Sequence, residues 1–200
     1  MPELATSPAL LLATAALAYL LGSVPFGILM ARLFGLGDLR RIGSGNIGAT
    51  NVLRTGNKLA AALTLLGDAG KGGAAVLAAR AVLGEDAAQV AGLMAFLGHA
   101  WPVWLAFRGG KGVATFLGTM LALAPLVGLA LCVAWLAGAF GSRISSVGAV
   151  AAAASTPLWA VWLRPDAVAV STVFAALVVL FHRPNIARLR AGTEPRIGRS

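Results

Sequence analysis

Acidic side chains are scarce in this chain of 200 residues: Glu3, Asp38, Asp68, Glu85, Asp86, Asp166 and Glu194 are all of them. They form no cluster with metal-ligand spacing, which argues against a metal site. A mechanism built on paired carboxylates lacks its residues as well. Cysteine occurs once, at Cys132, so no disulfide can form within the chain and the redox compartment stays open. No G-x-S-x-G stretch occurs, which removes the nucleophile elbow. Charge of either sign is thin: 12% of residues, against about 25% in a soluble domain.

What fills the chain is apolar. Hydrophobic residues make up 58%, and the mean hydropathy is +0.84. Uncharged runs cover Leu4–Ala31, Ala87–Phe107, Gly112–Ser142, Ile144–Leu163 and Ala167–Phe181. A helix needs about 20 apolar residues to cross the hydrocarbon, and in lipid a helix satisfies its own backbone groups. The chain therefore reads as an all-α integral membrane protein, a single polytopic domain over residues 1–200. No Lys or Arg precedes the first run, so it reads as a retained helix rather than a signal peptide.

The runs predict a bundle of seven transmembrane helices, near 8–30, 59–83, 87–105, 112–124, 126–141, 144–163 and 166–181. Pro25, between Gly22 and Gly27, predicts a kink late in the first. The stretch 112–142 is long for one span and short for two; "LAPLVG" around Pro125 supplies a turn. Basic residues gather in 32–58, in 107–115 and in the tail after 181, and the positive-inside rule puts all three in the cytoplasm. That parity requires the N-terminus outside and the C-terminus cytoplasmic. The formal net charge of +9 suits orientation and anionic headgroups better than nucleic acid, for which little soluble surface exists.

Three polar segments thus share one face. In "GSGNIGATN", residues 43–51, Gly43, Gly45 and Gly48 permit close approach of a ligand. Ser44, Asn46, Thr50 and Asn51 add neutral hydrogen-bonding groups, and Arg54 adds a planar donor fork suited to phosphate. Successive N–H groups in such a loop can cradle an anion. A turn-rich linker is the alternative, but a linker needs neither two Asn nor an Arg beside the membrane. "RGGKG", residues 108–112, repeats the logic. Gly109, Gly110 and Gly112 expose N–H donors, Lys111 supplies a point charge, and the next helix turns its positive end to the loop. A basic topology anchor is the alternative there. It is not a nucleotide P-loop, because Gly112 follows Lys111 and Leu105 stands where that motif needs Gly.

Other candidates are single residues. His99 is placed to orient a hydroxyl or take its proton, with a structural role equally open. Asp68 and Lys71 share a helix face. An unpaired central charge in the membrane costs about 2.5–3.5 kcal/mol, so they read as a pair, either structural or touching substrate. In the tail, Asn185, Arg188 and Glu194 stand against the simpler reading of a solvated amphipathic helix. Ser145 and Ser146 offer phosphate donors or, more simply, a helix cap.

"SGNIGATNVLR", "GHAWPVWLAFRGGKGVAT" and "HRPNIARLRAGTE" together resemble the bacterial membrane acyl-phosphate:glycerol-3-phosphate acyltransferases, in that order and over about Gly22–Arg196. Arg108 stands where that family has Lys, which keeps the charge. The resemblance implies seven helices in the inner membrane and a site on its cytoplasmic side. It implies transfer of a fatty acyl group from acyl phosphate to glycerol 3-phosphate, giving lysophosphatidic acid, with membrane lipids around it and no cofactor. The expected catalytic residues are then His99, Lys111, Arg54 and Asn185. Ser44, Gly45, Asn46, Thr50, Asn51, Gly109, Gly110, Gly112, Ser145 and Glu194 are expected to hold phosphate and glycerol.

The chemistry agrees with that resemblance. Phosphate is a good leaving group, so the glycerol hydroxyl attacks the acyl carbon directly. The base is either His99 or a substrate phosphate oxygen. Acyltransferases that use acyl-CoA or acyl carrier protein carry H-x-x-x-x-D; here Trp104 and Ala187 occupy the fifth positions after His99 and His182. A small organic-phosphate transporter is the second reading, which predicts inverted repeats that the sequence lacks. A purely structural membrane subunit has no need of three phosphate-suited segments.

Overall fold

The computed structural model describes residues 5–197. Among them every regular element is helical: α1 (Pro8–Gly22), α2 (Phe26–Leu33), α3 (Ala49–Leu53), α4 (Lys58–Leu83), α5 (Glu85–Ala100), α6 (Val113–Leu123), α7 (Pro125–Ser142), α8 (Ser145–Leu163), α9 (Val168–Phe181) and α10 (Arg183–Arg190).

Local chemistry sets the boundaries. The Ser7 side chain caps α1, and Pro8 follows where its missing N–H is not needed. Asn57 caps α4 by accepting from the Ala60 N–H at 2.9 Å. The single helix expected near 8–30 is two, because Pro25 interrupts the hydrogen-bond ladder between α1 and α2. The helix expected to reach residue 105 stops at Ala100. Pro102 has no N–H to continue the ladder, and the Trp101 N–H closes the last turn on Leu97 O at 2.8 Å.

Three helical stretches among the described residues are long and apolar enough to cross a bilayer: Pro8–Leu33, Pro125–Ser142 and Ser145–Leu163. A fourth qualifies if α9 and α10, bent 56° apart, form one broken span. Leu12, Val82, Phe140 and Trp162 are 73%, 78%, 75% and 83% exposed. Such an exterior is that of an integral membrane protein, covered by hydrocarbon rather than water.

The bundle has two polar ends. At the first, the Thr6 hydroxyl and N–H both reach the Asp86 carboxylate at 2.8 Å. There Arg80 pairs with Glu85, and Arg164 bridges Glu85 and Asp166. Arg164 also donates to Leu123 O at 3.0 Å. At the second end lie the loops around 39–57, 107–112, 143–146 and 182–197. Arg40 donates to Arg108 O at 3.0 Å, Ser146 to Glu194 at 2.8 Å, and the Ile197 N–H to Arg143 O at 2.7 Å. The chain changes ends along each of α4 to α9, and α1 starts from the Thr6 end.

Helix lengths create the site. His99, in the last turn of α5, meets Lys71 at 2.9 Å. Lys71 lies halfway along α4, about 20 Å from its start at ~1.5 Å per residue. Helix α4 therefore overhangs the end of α5, and a recess opens toward the second end that the 101–112 loop only partly fills. Below it, Phe96, Phe116 and Phe174 are fully buried, with Phe96 and Phe174 edge to face at 5.4 Å.

Candidate active site

The recess is a cavity of about 460 Å³. Its polar wall takes Ser44, Asn46, Thr50, Asn51 and Arg54 from the first segment, His99 from α5, and Lys111 and Gly112 from the glycine loop. Ser145 and Ser146 at the start of α8, and His182, Asn185 and Glu194 from the tail, complete it. Leu65, Leu66, Leu117, Leu121, Trp135 and Leu136 form the other wall. Four of these also face outward, Leu66 being 67% exposed, so the apolar wall opens sideways to lipid. Cys132, alone in the sequence, sits on this apolar wall rather than among the polar loops.

Each loop is held by its own side chains. Asn51 is buried; its Oδ1 accepts from the Ser44 N–H at 3.1 Å and from Arg54 Nη1 at 3.3 Å, and its Nδ2 donates to Leu39 O at 2.8 Å. Asn46 accepts from the Gly48 N–H at 2.9 Å. Both Asn side chains thus shape the loop from within. Gly43 has φ +53°, and a Cβ there would lie 2.6 Å from Arg54 Cδ; glycine lets the arginine lie across the backbone.

The glycine loop works differently from its sequence reading. The Gly109 N–H donates to Ala100 O at 3.1 Å and the Gly110 N–H to His99 O at 3.2 Å. These are carbonyls that the end of α5 leaves without helical partners. The Gly45 N–H similarly goes to Ile42 O at 2.9 Å. None of the three glycines lines the cavity. Gly109 and Gly110 serve close approach instead: a Cβ on either would overlap the His99 carbonyl or ring.

Lys111 is thereby set on the cavity wall with no hydrogen bond or ion pair among the described residues. Burial lowers its pKa to about 8; Glu194 opposes the shift, while Arg188 and Arg54 add to it. Burial likewise lowers Arg54. Burial pulls Glu194 upward, but hydrogen bonds from Asn185, Ser146 and Arg188 outweigh it and hold the carboxylate below its usual range. Lys111, Arg54 and Arg188 thus surround Glu194, while Asp68, the other acid lining the cavity, is paired with Lys71.

Two further groups face this charge. Asn185 gives its N–H to Glu194, which leaves its buried Oδ1 without a partner among the described residues. His182 Nδ1 lies 2.7 Å from Val178 O. A carbonyl only accepts, so Nδ1 carries the proton and Nε2 is a bare acceptor. Burial lowers His182 to about 4, so the ring is neutral at pH 7. His182 is not among the residues expected from sequence. Its one signal there, a histidine closing the last apolar run, is weak on its own.

A family profile described as glycerol-3-phosphate acyltransferase matches residues 12–192. The glycerol-3-phosphate acyltransferase of Jannaschia sp. (strain CCS1) is 64% identical over 200 residues, covering 100% of this chain and 98% of that protein. That of Roseobacter denitrificans is 64% identical over 194 residues, covering 96% of each. The crystal structure of PlsY (YgiH), an integral membrane glycerol 3-phosphate acyltransferase, in its glycerol 3-phosphate form superposes with a TM-score of 0.88 at 39% identity. It covers 94% of this chain and 96% of that one. The lysophosphatidic acid form of PlsY gives a TM-score of 0.86 at 38% identity, covering 94% and 95%.

Proposed function

This chain belongs to the glycerol-3-phosphate acyltransferase family, and we propose that it moves a fatty acyl group from acyl phosphate to a hydroxyl of glycerol 3-phosphate. The products are lysophosphatidic acid and inorganic phosphate. One observation carries this reading: a pocket with excess positive charge runs directly into an apolar groove open to lipid. Both substrates carry phosphate, and one carries a long chain.

Lys111 and Arg54 neutralise phosphate and the charge that develops on the acyl oxygen. The hydroxyls of Ser44, Thr50 and Ser145 complete the phosphate shell, with Gly112 at its floor. Asn46, Asn51, Gly45, Gly109 and Gly110 hold the loops in shape. Asn185 Oδ1 accepts from a glycerol hydroxyl, its amide turned by Glu194. The hydroxyl oxygen bonds to the acyl carbon, the carbon–oxygen bond to phosphate breaks, and phosphate leaves with that electron pair. The hydroxyl proton ends on phosphate, directly or through a histidine nitrogen. Alignment of two reactants supplies about 7–11 kcal/mol, and a preorganised donor on the oxyanion about 2.7–4 kcal/mol more.

Seven helices cross the bacterial inner membrane in this reading, with the N-terminus outside and the C-terminus cytoplasmic. The supporting feature is charge. The site end holds Arg40, Lys58, Arg108, Arg143, Arg183 and Arg190, whereas Arg80 and Arg164 at the other end are both ion-paired.

The test is purified protein in lipid nanodiscs with acyl phosphate and labelled glycerol 3-phosphate. Labelled lysophosphatidic acid with one phosphate released per turnover is expected; no product overturns the reading. Uptake of unesterified label into liposomes would instead favour a transporter. The ion pairs that tie Arg80, Glu85, Arg164 and Asp166 across the far end oppose that alternative.

A further inference from the structure

Lys71 is buried at the level of the cavity floor, 3% exposed, beside Asp68 at 2%. An ammonium group has three donors and no acceptor. All three are accounted for: Asp68 Oδ1 at 2.7 Å, Val24 O at 2.8 Å and His99 Nδ1 at 2.9 Å. The first partner is a carboxylate, which only accepts. The second is the carbonyl just before Pro25, at the break between α1 and α2. The third must accept, so His99 Nδ1 is bare and the ring proton sits on Nε2. Asp68 Oδ1 also lies 3.3 Å from Nδ1. A proton placed there, however, would set donor against donor across the 2.9 Å contact with Lys71.

His99 Nε2 has no hydrogen-bond partner among the described residues. His99 lines the cavity, and its Nε2 lies against Gly110, the residue before Lys111. We propose that His99 is a fixed N–H donor to an anionic oxygen of the bound substrate, and that Asp68 and Lys71 are positioning residues that lock its tautomer. The donor role rests on the acyl-transfer reading above; the lock does not. In this state His99 cannot take the proton of the attacking hydroxyl. His182 has the opposite build, with Nδ1 donating and Nε2 accepting, so the two histidines of the chain are not interchangeable.

Two measurements decide the proposal. The first is nitrogen NMR of histidine-labelled protein in nanodiscs. The chain has two histidines, and a His182→Gln spectrum assigns them. At neutral pH His99 is expected with Nε2 protonated and Nδ1 bare, and Lys71→Met is expected to erase that preference. A proton on Nδ1, or a doubly protonated ring, in the unmodified protein overturns the lock. The second is kinetics. The amide nitrogen of Gln falls near Nε2, whereas that of Asn falls near Nδ1. His99→Gln is expected to keep kcat within about tenfold, while His99→Asn and His99→Ala lose on the order of 10²-fold. Equal losses in all three, or near-normal turnover in His99→Ala, overturn the donor role. An unmodified protein inactive with acyl phosphate overturns the acyl-transfer reading, and the donor role with it, while the NMR spectrum still decides the lock.

Discussion

Lys111 should make activity and stability respond to pH in opposite directions. Its pKa falls from 10.5 to about 8, chiefly through burial. Phosphate binds the charged form. As pH rises through 8, kcat/KM for glycerol 3-phosphate should therefore fall, by about tenfold for each further pH unit. Stability without substrate runs the other way. An unfolded chain keeps a lysine charged to its ordinary pKa, so between about 8 and 10.5 the unfolded state binds more protons and folding gains with pH. The gain is at most about 3 kcal/mol at ~1.36 kcal/mol per pH unit, because water in the cavity screens part of it. Saturating inorganic phosphate should abolish it by restoring the charge.

The assay pairs initial rates of lysophosphatidic acid formation with denaturant unfolding across the alkaline range, in the same nanodiscs. Lys111→Arg should move the alkaline limb out of range, since arginine stays protonated throughout. Two results would refute the reasoning: a flat kcat/KM well above pH 8 in the unmodified protein, or an unchanged limb in Lys111→Arg.

Other perturbations separate the parts of the molecule. Gly109→Ala drives a Cβ into the carbonyl oxygens of His99 and Ala100. The loop must shift by about 1 Å, and kcat/KM should drop about 10²-fold. Gly70→Ala, with nothing within 4 Å of its new Cβ, should leave turnover intact in the same assay. Arg164→Ala removes the bonds to Glu85, Asp166 and Leu123 O at the far end. It should lower stability by about 1–2 kcal/mol with KM unchanged; a raised KM would mean the two ends are coupled. Glu194 is held below the usual carboxylate range, so its stabilising contribution is complete at neutral pH and is lost as acid protonates it. Glu194→Gln should weaken neutral-pH stability, remove this group's share of the acid loss, and lower kcat by freeing the Asn185 amide; stability curves and initial rates at matched pH check all three.

Sequence alone went far here because lipid makes each helix satisfy its own backbone. An apolar run therefore announces a helix with little help from its neighbours, and α4 at Lys58–Leu83 and α8 at Ser145–Leu163 lie within a residue of their expected bounds. Charge asymmetry did the same for the polar segments, since basic loops favour one side of a membrane whatever the packing. The structure does bring those three segments to one end.

Hydrogen-bond direction and close approach were another matter, because they depend on residues far apart in the chain. Glycine composition suggested free N–H donors at Gly109 and Gly110, but only the early stop of α5 puts its unpaired carbonyls there to take them. His182 reads as one more polar tail residue until burial and Val178 O set its tautomer. His99 is open to either proton role in the sequence; the contact of Lys71 with its Nδ1 at 2.9 Å exists only in the folded bundle. Composition and periodicity determine which segments enter the membrane; which atom of a buried side chain donates is decided only when distant helices meet and every proton must find an acceptor.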